Sequence, residues 1–390
     1  MIRPYEIDEI RSHKNIAIYG AGKFGRVALK ELLRIGIRPA FFIDRKAGDK
    51  TDVKEQEIPV VTVDALSGKE DTAVLIAVLH AYPEAAAELT EVPNVTLFEI
   101  GKLLDGYLEN EYPIEDSLKE QVTFYHWYVK RWNGRQSLFV RHCELVLTEQ
   151  CSLRCRDCAN MMQYYKKPEH IEYEGMIKSF RHFISCIDGL LELKLLGGEP
   201  LLYPAFCDVL KEVVSYEKIY GINVITNGTI LPDDQTISVM KNKKVLVSIS
   251  DYGEKSRKLH SLIELLQRNG IRYDQMKYEE WIDVGKPEYQ ERTEDELKRI
   301  YQSCMMTECN TFYRGALYKC PRSAHGYHLN LYGISEDEFI DFHEESINLD
   351  VKKEKVRELV NRHQPITACA YCIGSTKEAK RIPVAVQMPR

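Results

Sequence analysis

The chain predicts an α/β fold of two or three domains, and three observations carry that prediction. A glycine-rich turn, Gly20-Ala-Gly22-Lys-Phe-Gly25, follows a short apolar run and opens a helical stretch. From residue 142 to about 275, apolar strand-like runs alternate with helical ones, the pattern of a parallel sheet with right-handed crossovers. Eleven cysteines include a C-x3-C-x2-C triplet at 151–158 and a C-x10-G-x4-C plus C-x2-C set between 304 and 372. The first residues, 1–15, are charged and lack the apolar core of an export signal, so the cysteines point to metal ligation in a reducing cytoplasm.

Composition narrows the function classes. Hydrophobic residues make up 44% and charged ones 29%, enough for ordinary globular cores. The net charge is −6, from 53 basic and 59 acidic residues, and no basic tail or aromatic-interleaved basic stripe is present. Neither nucleic acid nor a membrane is expected as a partner, because no apolar stretch approaches bilayer length.

Residues 1–100 read as a doubly wound, Rossmann-like domain. Strand 15–19 leads into the glycine turn, helix 23–35 follows, and strand 39–43 ends at Asp44. Further strands are expected at 59–62, 73–78 and 94–99, with 64–66 and 84–89 helical. Gly20 permits the tight turn, Gly22 lets backbone approach a phosphate, Gly25 lets helix pack on strand, and Asp44 is placed for a ribose hydroxyl. Three uses stay open: NAD, another nucleotide or nucleotide-sugar, or glycines retained for packing or partner docking alone. The segment is similar to small Rossmann-like domains attached to sugar-modifying and polysaccharide-assembly proteins. A bridge, 101–141, holds an amphipathic helix at 114–132 whose Phe124, Tyr125, Trp127 and Tyr128 are expected to pack between domains.

In the middle segment, strands are expected at 143–148, 192–196, 222–226, 244–250 and 271–274, and helices at 174–188, 204–217, 234–241 and 256–269. Polar motifs fall at the strands' C-terminal ends, where parallel α/β folds gather function. Cys151, Cys155 and Cys158 follow the first strand, and Gly197-Gly198-Glu199-Pro200 the second. Thr226-Asn227-Gly228-Thr229 follow the third, while Ser248, Ser250 and Asp251 end the fourth. Cuboidal iron–sulfur clusters usually take four thiolates, so a loop offering three leaves one iron open to another ligand.

The triplet together with Gly197-Gly198-Glu199-Pro200 resembles the radical S-adenosylmethionine (radical SAM) superfamily. The resemblance implies an incomplete (β/α)6 barrel over 142–300 and a 4Fe–4S cluster on Cys151, Cys155 and Cys158. It implies S-adenosylmethionine on the open iron, cleaved to methionine and a 5′-deoxyadenosyl radical that removes a substrate hydrogen. Gly197, Gly198 and Glu199 then serve the cofactor's amino group, and Asn227, Ser248 and Ser250 its ribose and carboxylate. Asp157 stands where the family usually has an aromatic residue, which leaves the packing against adenine open. A zinc knuckle or redox thiols are the competing explanation of the triplet. Tyr164, Tyr165, Lys166 and Lys167 either face substrate or form solvated surface, and Cys143, Cys186 and Cys207 read as buried small hydrophobes.

Cys304, Cys320, Cys369 and Cys372 supply four thiolates, enough to close a second 4Fe–4S cluster. Residues 301–390 resemble the auxiliary-cluster module called Twitch, a shortened form of SPASM, with strands at 311–313 and 316–318 and helices at 336–342 and 351–362. Cys309 is surplus: a substitute for Cys304, a hydrogen-atom donor, or a spare. A zinc site on the same four cysteines is the alternative, and His325, His328 and His343 read as polar surface or packing. The function this implies is a radical SAM oxidoreductase, fed by a flavodoxin- or ferredoxin-type reductant. It would oxidise an alcohol or amine carbon of a sugar, aminocyclitol or nucleotide-linked precursor, with the auxiliary cluster as electron acceptor. The alternatives are a radical epimerase, a peptide-modifying maturase and a non-catalytic iron–sulfur electron carrier.

Overall fold

The computed structural model describes every residue except 1, 46, 48–53, 56–57, 80–81, 112, 133, 135–136, 344–347 and 390. The chain divides into two compact units, 1–137 and 138–390.

The first unit runs β1 (Ile2–Arg3), α1 (Ile7–Ser12), β2 (Asn15–Tyr19), α2 (Lys23–Arg34), β3 (Phe41–Ile43), β4 (Lys54–Glu55), β5 (Ile58–Val61), β6 (Thr72–Ile76), α3 (Tyr82–Thr90), β7 (Val95–Phe98), α4 (Gly101–Asn110) and α5 (Asp116–Arg131). Its sheet is ordered β1-β7-β6-β2-β3-β5-β4, parallel except for β4 on β5. The order reverses between β2 and β6, so a crevice is expected at their C-terminal ends, where the glycine turn lies. Gly20 has φ +102°, and a Cβ there would meet the Ala77 carbonyl oxygen at 2.9 Å. A Cβ on Gly25 would overlap the Gly20 carbonyl, so only glycine lets α2 start this close to the turn. Gly22 faces open space, and Asp44 accepts the Ala21 N–H at 2.9 Å.

Within this first unit the Phe124 ring stacks on Trp127, and the Tyr128 ring lies 5.8 Å from that of Tyr82. Tyr125, on α5, accepts the Ile100 N–H at 3.0 Å and donates to the Ile76 carbonyl at 3.1 Å. Its ring lies edge-on to those of Tyr82 and Phe24. A ring that carries one hydroxyl can be fully buried when that hydroxyl is bonded, which explains why α5 folds back onto this sheet.

The second unit begins with β8 (Phe139–Thr148), α6 (Tyr173–Cys186), β9 (Gly189–Gly197), α7 (Phe206–Ser215), β10 (Ile219–Thr226), α8 (Asp234–Met240), β11 (Val245–Asp251), α9 (Leu259–Arg268) and β12 (Tyr273–Lys277). These five strands pair in sequence order and parallel. Along β11, Val245, Val247 and Ile249 are buried while Ser248 and Ser250 alternate with them on the other face, the period-two pattern of a strand. No sixth strand continues the run among the described residues. Instead β13 (Glu280–Ile282) pairs antiparallel with β17 (Arg381–Pro383) in a separate ribbon.

Beyond β13 come α10 (Glu294–Ser303), β14 (Asn310–Tyr313), β15 (Ala316–Tyr318), α11 (Pro321–His328), β16 (Phe339–Asp341) and α12 (Leu349–Val360). A capping box of Thr293 and Glu296 starts α10. β14 joins β8 in parallel, and β15 and β16 follow antiparallel, so the hairpin extends the barrel sheet. The hairpin turns at Arg314 and Gly315, both at positive φ, and a Cβ on Gly315 would overlap the His343 ring.

Two expectations change, and one helix appears that the sequence did not signal. Residues 336–342 are not a helix: a single 3-10 turn gives way to β16, because Phe339 stacks on Tyr318 and Ile340 and Phe342 fill the core. Helix α11 had no periodic apolar signal; Pro321 at its first position and the packing of Ala324 and His325 define it. Cys143 and Cys186 are buried as expected, whereas Cys207, near the start of α7, is partly exposed.

His325 is fully buried, with Nδ1 2.8 Å from the Tyr165 hydroxyl, which lies 3.1 Å from that of Tyr313. Tyr313 donates in turn to Glu149, which also pairs with Arg314 at 2.8 Å. Burial pushes His325 down to about 3 and His328 down to about 4. Both lie below the unfolded value near 6.5, so the unfolded chain binds more protons and stability falls as pH drops from about 6.5 toward 4. The expected slope is about 1.4 kcal/mol per pH unit for each proton. Glu144 and Glu199, raised to about 7 by burial, titrate in the opposite sense over the same range, so the histidine share is read as a difference. Between pH 7.5 and pH 5 in urea unfolding, His325→Gln should lose less stability than the unsubstituted protein, by up to one proton's slope.

Candidate active site

The C-terminal ends of β8 to β11 surround a cavity of about 540 Å³ lined by Cys151, Cys155 and Cys158, and the same three cysteines line an adjoining cavity of about 330 Å³. Cys151 and Cys155 each have a hydrogen-bond donor to sulfur. The Leu153 N–H points at Cys151 at 3.4 Å and the Asn227 amide at 3.6 Å. The Gln387 amide reaches Cys155 at 3.3 Å, and backbone N–H groups of Asn160, Met161 and Met162 face Cys158. Burial nevertheless pushes Cys151 up to about 12 and Cys155 up to about 11, and raises Cys158. Buried thiols of this kind ionise once a metal supplies compensating positive charge. Three such sulfurs around one space therefore fit an iron–sulfur group.

The glycine pair explains how the loop is held. Gly198 donates to the Thr148 carbonyl at 2.8 Å and Glu199 to the Gln150 carbonyl at 2.9 Å. A Cβ on Gly197 would overlap the Thr148 carbonyl oxygen, and one on Gly198 that of Gln150. The two backbones therefore meet at a distance only glycine allows, and Gly197 and Gly198 form part of the cavity wall.

Glu199, expected on the cofactor, is fully buried behind the wall. It accepts from the Thr226 hydroxyl and the Asn227 N–H, both at 2.8 Å, and from the Leu201 N–H at 3.2 Å. Burial raises its carboxyl to about 7 against these three donors. Its visible task is to tie the end of β9 to the end of β10 and so fix Asn227. Asn227 does line the cavity, and its amide orientation is set by Thr229, whose N–H and hydroxyl donate to its oxygen at 3.1 and 2.6 Å. Ser250 lines the cavity; Ser248, two residues deeper in β11, does not.

Several lining residues escaped the sequence reading. Tyr252 follows directly on β11, and its ring lies 5.5 Å from Trp281 and 5.9 Å from Tyr278, all three on the wall. They supply aromatic surface where Asp157, also on the wall, does not. Glu280 and Arg381 arrive through the β13–β17 ribbon, and nothing local in the sequence marks a pairing across 100 residues. Tyr165 and Lys166 line the smaller cavity.

Cys304, Cys320, Cys369 and Cys372 together line a third cavity, of about 40 Å³; Cys309 is not among its lining residues. The Gly374 N–H reaches Cys372 at 3.3 Å and the Ser375 N–H reaches Cys304 at 3.5 Å. Cys320 stands at the N-cap position of α11, where the backbone N–H groups of Arg322 and Ser323 partly offset the burial of its thiol. Burial pushes Cys369 up to about 12 and Cys320 well above its ordinary value. Among the described residues, no three His, Cys, Asp or Glu side chains close to the spacing of a single metal ion. Met306 and Ser375 line both this cavity and the large one.

Residues 145–283 match the family model described as the Radical SAM superfamily. Molybdenum cofactor biosynthesis protein 1 of Homo sapiens is 32% identical over 97 residues, 24% of this chain and 14% of that protein. GTP 3′,8-cyclase of Stenotrophomonas maltophilia is 30% identical over 100 residues, 25% of this chain and 29% of that protein. The chain thus spans less than a third of the length of either relative. Among solved structures, BtrN in complex with AdoMet and 2-DOIA aligns at TM-score 0.39 and 12% identity, over 65% of this chain and 96% of that one. Native anSMEcpe with bound AdoMet and Cp18Cys peptide aligns at 0.40 and 13%, over 62% and 91%. Among the described residues, no helix is long and apolar enough to cross a membrane.

Two substitutions test this geometry. Gly198→Ala forces its methyl group into the Gln150 carbonyl and should cost at least about 1–3 kcal/mol in denaturant unfolding. Glu199→Gln places an amide donor among three donors and should cost about 1–3 kcal/mol, measured the same way.

Proposed function

We propose that the chain is a radical SAM oxidoreductase acting on a small polar ring, a sugar, an aminocyclitol or a nucleotide-linked precursor. Cys151, Cys155 and Cys158 would hold the first 4Fe–4S cluster, with Gly197, Gly198, Asn227 and Ser250 beside S-adenosylmethionine. Bound there, cluster and cofactor supply hydrogen-atom abstraction from an unactivated carbon. Cys304, Cys320, Cys369 and Cys372 would hold the auxiliary cluster of a Twitch-like module, which supplies a one-electron sink. Four thiols ringing one cavity match the four-thiolate donor set of a 4Fe–4S cluster.

The observation that carries the oxidative reading is the shared wall. Ser375 lines the large cavity while its N–H rests on Cys304, so the substrate space and the second thiol set are one residue apart. Loss of a hydrogen atom, an electron and a hydroxyl or amine proton converts the target carbon to a ketone or imine. Asp157 and Glu280 are the carboxylates on the wall able to take that proton. Tyr252, Tyr278 and Trp281 give the wall aromatic surface on which a ring can pack, and Arg381 adds a cation for a charged or phosphorylated substituent. The strand order and glycine turn of the first unit support a Rossmann-like domain. Gly22, open to solvent, and Asp44 keep nucleotide or nucleotide-sugar binding as its proposed role.

Anaerobically prepared protein should carry about eight irons and, with dithionite and S-adenosylmethionine, release 5′-deoxyadenosine. Cys304→Ala with Cys320→Ala should lower the count to about four while release of deoxyadenosine continues. Retention of about eight irons in that variant, or abolition of cofactor cleavage by it, contradicts the assignment of the second thiol set.

A further inference from the structure

Beyond β17 the chain turns at Ala385, a fully buried residue at φ +49°, and lies down on the cysteine loop. The Arg156 N–H donates to the Val386 carbonyl and the Met388 N–H to the Arg154 carbonyl, both at 2.8 Å, so that Cys155 and Gln387 face each other across an antiparallel bridge. Gln387 is thereby held at both ends of its amide. Its oxygen accepts the Arg154 N–H at 2.8 Å, and its nitrogen donates to the Ala385 carbonyl at 2.8 Å. A flipped amide would oppose donor to donor and acceptor to acceptor, so the assignment of nitrogen and oxygen is fixed by the neighbours. The remaining N–H of that nitrogen points at the Cys155 sulfur, 3.3 Å away.

We propose that Gln387 is a positioning residue that sets the reduction potential of a cluster held by Cys151, Cys155 and Cys158, by donating a hydrogen bond to the Cys155 sulfur. The inference rests on the reading of that loop as the cluster site. Reduction adds negative charge, part of it on the sulfurs, and an N–H dipole aimed at a sulfur stabilises the reduced state more than the oxidised one. Gln387 therefore raises the potential, which makes the first electron easier to accept. Leu153, Asn227, Asn160, Met161 and Met162 serve Cys151 and Cys158 from within the barrel, whereas Cys155 receives its side-chain donor from 232 residues away.

The test is a potentiometric titration of the full, anaerobically prepared chain, following the electron paramagnetic resonance signal that changes on addition of S-adenosylmethionine. Gln387→Met keeps the length and loses the donor. At the midpoint of the unsubstituted protein its reduced-to-oxidised ratio should fall about tenfold, a shift of about 59 mV for one electron. Gln387→Glu keeps the acceptor for Arg154 and places negative charge beside the sulfur, so its midpoint should fall at least as far. The signal that ignores the cofactor should titrate unchanged in both. The proposal is overturned if both variants hold the same iron and titrate at the original midpoint. It is equally overturned if Gln387→Met loses iron while Gln387→Glu titrates unchanged, since the residue then acts only as a strap. If the unsubstituted protein carries no cofactor-sensitive cluster, the iron count shows that the site assignment has failed, and this inference with it.

Discussion

The meeting of two backbones at Gly197-Gly198 and Thr148 to Cys151 is the constraint on which the site depends. Two N–H groups of the second strand's exit bond to carbonyls of the first strand's exit, and there is no room for a side chain between them. That contact fixes where the cysteine loop begins. It also turns Glu199 inward, where its carboxylate holds the first residues after β10. From there Asn227 reaches back to Cys151 and Ser152, closing a circuit through three strand ends. A change at any point of this circuit moves the sulfurs.

A second dependence links the barrel to the segment after it. β14 adds to the β8 edge, and the hairpin leads straight into Cys320 and α11. Tyr165, bonded to the buried Tyr313 and His325, joins the stretch following the cysteine loop to that hairpin and helix. Met306 and Ser375 then stand between the large cavity and the four-thiol one. Neighbouring placement of the two thiol sets follows from sheet continuity, with no separate docking surface needed within this unit.

Local signals were legible in the sequence, and long-range ones were not. The period-two pattern of Val245, Val247 and Ile249 announced a strand, and the spacing of the triplet announced a three-sulfur loop. The glycine pair was visible, but its physical reason was not: it reads as cofactor contact until the Thr148 and Gln150 carbonyls are seen behind it. Glu199 likewise looks like a ligand in sequence and lies buried as a brace in the fold. Residues 336–342 carry helix-forming acidic residues, yet edge pairing with β15 wins because Phe339 and Ile340 gain aromatic and core contacts. Arg381 and Gln387 had no local signal, since each reaches the site only through pairing with chain far away in sequence.

Whether one iron is left for the cofactor is read most directly by electron–nuclear double resonance on the reduced protein with S-adenosylmethionine labelled with 15N at its amino group. The account predicts a hyperfine coupling from that nitrogen, lost in Cys155→Ala. A reduced cluster with no coupling to the label, or a colourless protein that holds zinc in its place, would contradict it.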